Sequence, residues 1–168
     1  MGVVLAATDP GVVSFSATVQ GVDGCEVRLN ESYFYPARGG QPPAQGHLNG
    51  NTVVDVQALH DGIVHLLESE PEFSEGETVA AQIDPAFRAY CQRVHTASHV
   101  VYGAGRRVLD DLGYGGFNID SEKARIDLRT PNPITTDELV ELERLANRVV
   151  WEHREVSWTI LPSEEALN

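Results

Sequence analysis

The amino-acid sequence predicts an α+β chain: a small β-barrel or sandwich over residues 1–84, followed by an α/β region over residues 85–168. Three observations carry this. Turn dipeptides recur at short spacing through the first half, between runs that alternate apolar and polar residues. At Asp84-Pro85 the apolar period lengthens from two residues to three and four. Beyond that point helical stretches with recognisable starts are interleaved with short alternating runs.

In order, Val13 to Val19 alternates apolar with small polar residues, the pattern of a half-buried strand. Asp23-Gly24 is a turn before a strand from Cys25 to Leu29, and Asn49-Gly50 is a hairpin signal between Gly46–Leu48 and Thr52–Val56. Asp61-Gly62 repeats the signal before Ile63 to Leu67, and Glu77 to Ile83 makes a last strand. Five or six short strands at this turn spacing predict a small barrel or sandwich. Asp84 as N-cap with Pro85 at the first helical position opens a helix up to Leu109. Leu112-Gly113 and Gly115-Gly116 are expected to end it, and Lys123 to Leu128 to form a strand. Thr135 to Glu138 fits a capping box, leading a helix with Leu139, Leu142, Leu145 and Val149 as its apolar stripe. Glu155 to Leu161 reads as a strand, and Pro162 to Glu165 as the opening of another helix three residues before the end.

Composition limits the functional classes. No stretch approaches the ~20 apolar residues that span a membrane, and Met1 to Thr8 lacks the basic start of a signal peptide. Two cysteines, Cys25 and Cys91, are too few for a disulfide scaffold, so a reducing cytoplasm is expected. Net charge is -13, with Lys123 the only lysine against eleven arginines. That balance is expected of a salt-adapted protein, in which solvated carboxylates keep the surface hydrated. Acidity argues against a nucleic-acid partner, because counterion release needs basic residues, although molar salt weakens the objection by shortening the screening length to about 3 Å. Residues 91–168 are the less acidic part, with 13 acids and nine bases against 12 and three in residues 1–90.

Two constellations could carry chemistry. His95-Thr96-Ala97-Ser98-His99 puts two imidazoles on one helical face, a turn apart, where they can share a zinc ion. The metalloprotease pattern needs a glutamate where Thr96 stands, which excludes that reading. Cys91 is no third ligand, since eight helical residues separate it from His99 by about 12 Å along the axis. His153 or a carboxylate could contribute, but nothing in the sequence singles one out. The plainer alternative is a pair of polar residues packed at a domain junction. The second constellation is Tyr33 to Pro42, which contains Gly39-Gly40-Gln41. Adjacent glycines permit close backbone approach to a ligand, and the Gln41 amide could orient a substrate or water. Here the plainer alternative is a loop between strands. Gly-Gly-Gln is also the tripeptide of peptide-release factors, but the rest of the chain gives that no support.

Taken together, Phe34-Tyr35-Pro36, Gly39-Gly40-Gln41, Gly46-His47-Leu48, Ile63-Val64-His65, Arg88, His95 to His99 and Arg125-Ile126-Asp127-Leu128 resemble the editing domain of alanyl-tRNA synthetases. They are equally similar to the free-standing AlaX proteins that carry the same domain. The resemblance runs from about residue 8 to the end. It implies a six-stranded N-terminal barrel packed on an α/β editing domain, and hydrolysis of tRNA(Ala) mischarged with serine or glycine. It also implies zinc, held by His95 and His99 together with a later Cys-x-x-x-His motif. Gly39, Gly40, Gln41 and Thr96 are the residues expected beside the substrate. The expected partner is tRNA, no membrane is involved, and a homodimer is an open assembly.

Two departures stand out. Ala44 occupies the place where an aspartate commonly follows the glutamine, and no cysteine follows Cys91. The C-terminal part of the domain is thus expected to be missing, through truncation or in a natural short form, while a start at Met1 favours a free-standing protein. A non-catalytic tRNA- or nucleotide-binding module is the alternative function. A threonyl-tRNA synthetase editing domain, which shares the His-x-x-x-His pattern, is a third, and the barrel with Gly39-Gly40-Gln41 favours the alanyl branch.

Overall fold

Six strands are placed by the turn signals of the first half: β1 Ser14–Asp23, β2 Glu26–Leu29, β3 Gly46–Leu48, β4 Asn51–Leu59, β5 Gly62–Leu67 and β6 Thr78–Ile83. In the computed structural model, which describes residues 5–60, 62–157, 159 and 161, they close into a barrel in the order β1-β2-β5-β4-β3-β6. Every pairing within it is antiparallel. Closure satisfies the backbone groups that an open edge would expose. Register shifts after Val19 and after Val53 supply the local bends that a barrel this small needs.

Alternation decides what lies inside. On β6, Val79, Ala81 and Ile83 are buried while Thr78, Ala80 and Gln82 are exposed. Val19, Val27, Phe34, Leu48 and Val56 meet them in one core cluster. Each such side chain contributes about 1.5–3 kcal/mol on full burial, so the barrel is the part of the chain with the largest hydrophobic stabilisation.

Asp84 caps helix α2, Pro85–Val108, by accepting from the Ala86 and Phe87 amides at 2.8 and 2.9 Å. A short helix, α1 at Leu5–Thr8, precedes the barrel and was not expected from the sequence. After α2 come β7 Gly113–Ile119 and β8 Ala124–Arg129, which form a separate two-stranded sheet. Their four-residue connection, closed by Asp120 N–H donating to Lys123 O at 2.9 Å, makes the pair antiparallel. Helix α3, Thr136–Trp151, starts with the expected capping box between Thr135 and Glu138.

By internal contact the chain divides into two compact units. One comprises residues 1–98 with 114–129, and the other residues 99–113 with 130–168. The first holds the barrel, the start of α2 and the β7–β8 sheet. The second holds the end of α2 and all of α3.

Three expectations need correction. Gly115 and Gly116 do not serve as a helix stop but lie within β7. A Cβ on Gly115 would stand 2.7 Å from the Asp127 carbonyl oxygen of β8, so glycine there answers a close strand approach. The expected strand from Glu155 to Leu161 is absent among the described residues: Glu155, Val156, Ser157, Thr159 and Leu161 belong to no strand, and Val156 is 71% exposed. Alternation marks a strand only where a partner supplies the ladder. Trp158 and Ile160, like the helix start at Pro162–Glu165 and Asp61 of the third turn, lie outside the described residues. Finally, the α3 stripe is only partly covered. Leu142, Leu145 and Val149 are half-buried, Leu139 is exposed, and no residue of the helix is fully buried.

The charge balance has a measurable consequence. Exposed pairs such as Arg144–Glu141 and Arg148–Glu152 contribute little to stability and are screened by salt. Self-repulsion at net charge -13 is screened too, and with 25 acids against 12 bases it outweighs the pairs. Thermal melts are expected to show a higher midpoint at about 2 M KCl than at about 0.1 M. Equal midpoints would remove the salt-adaptation reading.

Candidate functional site

Gly39-Gly40-Gln41 occupies a tight turn. Arg38 N–H donates to Gln41 O at 3.1 Å and Gln41 N–H returns to Arg38 O at 3.0 Å, which makes the two glycines the central residues. Both have positive φ, 60° and 80°, as a type I′ turn requires. The two glycines differ in surroundings. A Cβ on Gly39 would meet nothing within 4 Å, whereas one on Gly40 would overlap the Phe117 carbonyl oxygen of β7. Ile119 N–H donates to Gly40 O at 2.8 Å, so the turn is fastened to β7 by backbone alone.

The first part of α2 is held in place by three side chains. Arg88, buried, donates to Tyr33 O at 2.6 Å and to Pro10 O at 3.4 Å, and Gln92 donates to Pro10 O at 3.0 Å. Tyr90 donates to Asp120 O at 3.0 Å, which ties the helix to the β7–β8 turn. Burial lowers the Arg88 guanidinium from its usual range, opposed by Cys91. Burial also pushes the Cys91 thiol up, against the pull of Arg88. Cys91 is buried and packs as a core group, its thiol favoured in the protonated form.

One turn further along α2, His95 meets the glycine turn. Its Nδ1 lies 2.8 Å from Gln41 Oε1, and its ring packs on Phe117 with centroids 5.6 Å apart. Gln41 is buried and His95 half-buried, so the contact is shielded on one side and reachable on the other. The structure therefore brings Gln41 and His95 together across 54 positions of sequence. Thr96 is half-buried on the same helix. His99 is exposed and lines a cavity of about 170 Å³ with Val100, Gly103, Arg107, Leu145 and Arg154.

His95 and His99, two imidazoles four residues apart on one helix, are donors of the kind zinc takes. The donor number is short. Among the described residues no group of three or more His, Cys, Asp or Glu is arranged to hold a metal ion. A structural zinc site needs four donors, and a catalytic one three plus water.

Sequence reasoning missed Phe117, because β7 was not seen as a strand, and a buried pair in the barrel. His65 is fully buried on β5. Its Nδ1–H donates to Val27 O at 3.1 Å, while Ser32 Oγ sits 2.7 Å from Nε2 and accepts from the Phe34 amide at 3.2 Å. Ile63, His65 and Leu67 share one strand period, a signal that could have placed the histidine inward. With both residues buried and both ring nitrogens partnered, this serine–histidine pair is a structural clasp of the core.

The barrel, the glycine turn fastened to β7 and the histidine-bearing helix define an α+β domain with a glutamine–histidine contact as its candidate centre. Comparison with known proteins then places the chain. It is 40% identical over 163 residues to the alanine–tRNA ligase of Thermococcus kodakarensis and 40% identical to that of Pyrococcus abyssi. Identity to the alanine–tRNA ligase of Ignicoccus hospitalis is 37%. Each match covers 94% of this chain and 18% of the relative. The chain is a relative of the alanine–tRNA ligases and spans about a fifth of the length of the curated relatives it matches. No protein-family model matches it. Among the described residues no helix is long and apolar enough to cross a membrane.

Proposed function

We propose that this chain is an aminoacyl-tRNA deacylase, hydrolysing the ester of tRNA(Ala) mischarged with serine or glycine. The observation that carries the reading is the His95–Gln41 contact, in a chain related along nearly its whole length to alanine–tRNA ligases. Those relatives' name supplies tRNA as the partner class, and the linked motifs supply the editing chemistry. Gln41 and Thr96 are the polar groups that orient the aminoacyl end. Gly39, whose open side meets no neighbouring atom, lets the substrate approach the turn. His95 and His99 are two of the ligands of a zinc ion, which when bound would polarise the ester carbonyl or lower the pKa of a water. The two cysteines are both free thiols, in keeping with a reducing, cytoplasmic setting.

The short donor set favours one specific alternative, a tRNA-binding module without turnover. Deacylation of Ser-tRNA(Ala), measured beside tRNA binding over a range of salt, separates the two. For the enzyme, His95→Ala should lower turnover at least ~100-fold and leave tRNA binding within a few-fold, since a group acting on the reacting centre contributes mainly after binding. Binding without hydrolysis, unchanged by His95→Ala, would select the module.

A further inference from the structure

We infer that the exposed face of α3 is a contact between two copies of this chain, laid antiparallel across a two-fold axis with Val140 of one copy against Val150 of the other. The inference concerns assembly and stands apart from the deacylase and zinc readings.

α3 carries two apolar faces, where a surface helix ordinarily carries one. Leu142, Leu145 and Val149 form the half-buried face. Leu142 lies over Gly105 of α2, where a Cβ would stand 3.7 Å from its Cδ1, and Leu145 and Val149 line a cavity with Val100 and Gly103. The second face points away from these contacts. Trp151 is 79% exposed, and Leu139, Val140 and Val150 are each more than half exposed. At about 100° per residue, helical positions eleven apart fall within about 20° of each other. Leu139 therefore lines up with Val150, and Val140 with Trp151, in one sector of about 120° turned away from Leu142.

The pattern along this face selects its occupant. The apolar residues sit at the two ends, with Glu143 and Asn147 exposed between them. Positions 139 and 151, 140 and 150, and 143 and 147 are symmetric about position 145. A second α3 running the other way thus brings each into register with its counterpart, as a two-fold contact requires. Leu139 meets Trp151, Val140 meets Val150, and the Asn147 amide can donate to the Glu143 carboxylate. A polar pair inside an apolar helix contact fixes register and orientation. Charge gives the same answer. Thr136 to Glu143 holds four acids and no base, whereas Arg144 to Trp151 holds two arginines and no acid. Antiparallel copies set the acidic half of one helix against the basic half of the other; parallel copies would oppose acid to acid. Trp151 alone presents on the order of 150–200 Å², and the apolar side chains of two copies together approach the ~1,000 Å² at which a specific interface begins. A contact of that size forms reversibly, with a dissociation constant on the order of 1–100 µM.

Sedimentation velocity of the 168-residue chain tests this, from about 1 to 500 µM in about 0.5 M KCl, where long-range repulsion between two chains of net charge -13 is screened. The mass should rise with concentration from 18.3 kDa toward twice that value. Val140→Gln with Trp151→Gln, both on a face the single chain leaves exposed, should weaken association at least ~10-fold. Asn147→Glu, which sets a second carboxylate against Glu143 of the other copy, should weaken it roughly 5–10-fold, and adding Glu143→Arg should restore it to within a few-fold of wild type. That rescue reports direction, because parallel helices would set position 143 against 143 and 147 against 147. Unchanged far-UV circular dichroism shows that each variant keeps its fold. A single-chain mass at every concentration overturns the inference. So does association unmoved by either substitution, or an absent rescue.

Discussion

Gly40→Ala is expected to destabilise the protein by about 3–5 kcal/mol, whereas Gly39→Ala, one residue earlier in the same turn, costs only about 1–2 kcal/mol. Both residues have positive φ, so both variants carry the conformational cost of placing a Cβ in the left-handed region. They differ in what the Cβ meets. At position 39 it enters open space; at position 40 it overlaps the Phe117 carbonyl oxygen, a backbone atom with no rotamer to escape into. Relief requires β7 to move away from the turn, which breaks the Ile119-to-Gly40 hydrogen bond and separates Phe117 from His95. The lost bond adds about 0.5–1.5 kcal/mol to an overpacking term of about 1–3 kcal/mol. Urea unfolding of the two variants beside wild type measures the difference. Equal losses at positions 39 and 40 would mean that the turn is not seated on β7.

How much of this could be seen in the sequence follows from what each signal measures. Turn dipeptides and period-two alternation are local properties, and all six barrel strands lie within a few residues of where they place them. The Thr135–Glu138 capping box is local as well and forms as expected. β7 was hidden because glycine has two meanings. Gly115 and Gly116 have the composition of a helix stop, yet Gly115 answers the approach of Asp127, a constraint that only the folded pair of strands reveals. The site was half legible. Four-residue spacing put His95 and His99 on one helix, and the amide chemistry of Gln41 made it a candidate for orienting a substrate or water. That the two meet depends on Arg88, Gln92 and Tyr90 anchoring the helix, contacts that span 30 to 82 positions of sequence. Alternation in Glu155 to Leu161 misled for the converse reason, since periodicity records a strand's faces but not whether a partner is present.

Acidification from pH 6.5 to pH 4 should remove about 3 kcal/mol of folding stability through His65 alone. In the folded protein burial holds this imidazole at a pKa of about 4, against an ordinary 6.5, with the hydrogen bond to Val27 acting weakly in the other direction. The folded pKa is the lower one, so the unfolded chain takes up the proton first. Above pH 6.5 both states are neutral there and the stability is fully present. Between 6.5 and 4 only the unfolded state is protonated, and stability falls as the pH falls. Below about 4 both states carry the proton and the loss is complete. The carboxylates with depressed pKa, Asp120, Glu138, Glu141 and Glu152, start from ordinary values of 3.8 to 4.5, so their contribution is lost mostly below that window. Separation of the two windows makes the histidine visible. Urea unfolding at pH 7, 6, 5 and 4.5 should show the decline in wild type and a nearly flat profile in His65→Gln, whose starting stability is lower because the Ser32 and Val27 contacts are disturbed. The slope, not the starting value, carries the test. Parallel slopes would show that His65 is protonated without cost inside the barrel, and hence that the closed core around Phe34 and Val27 admits water.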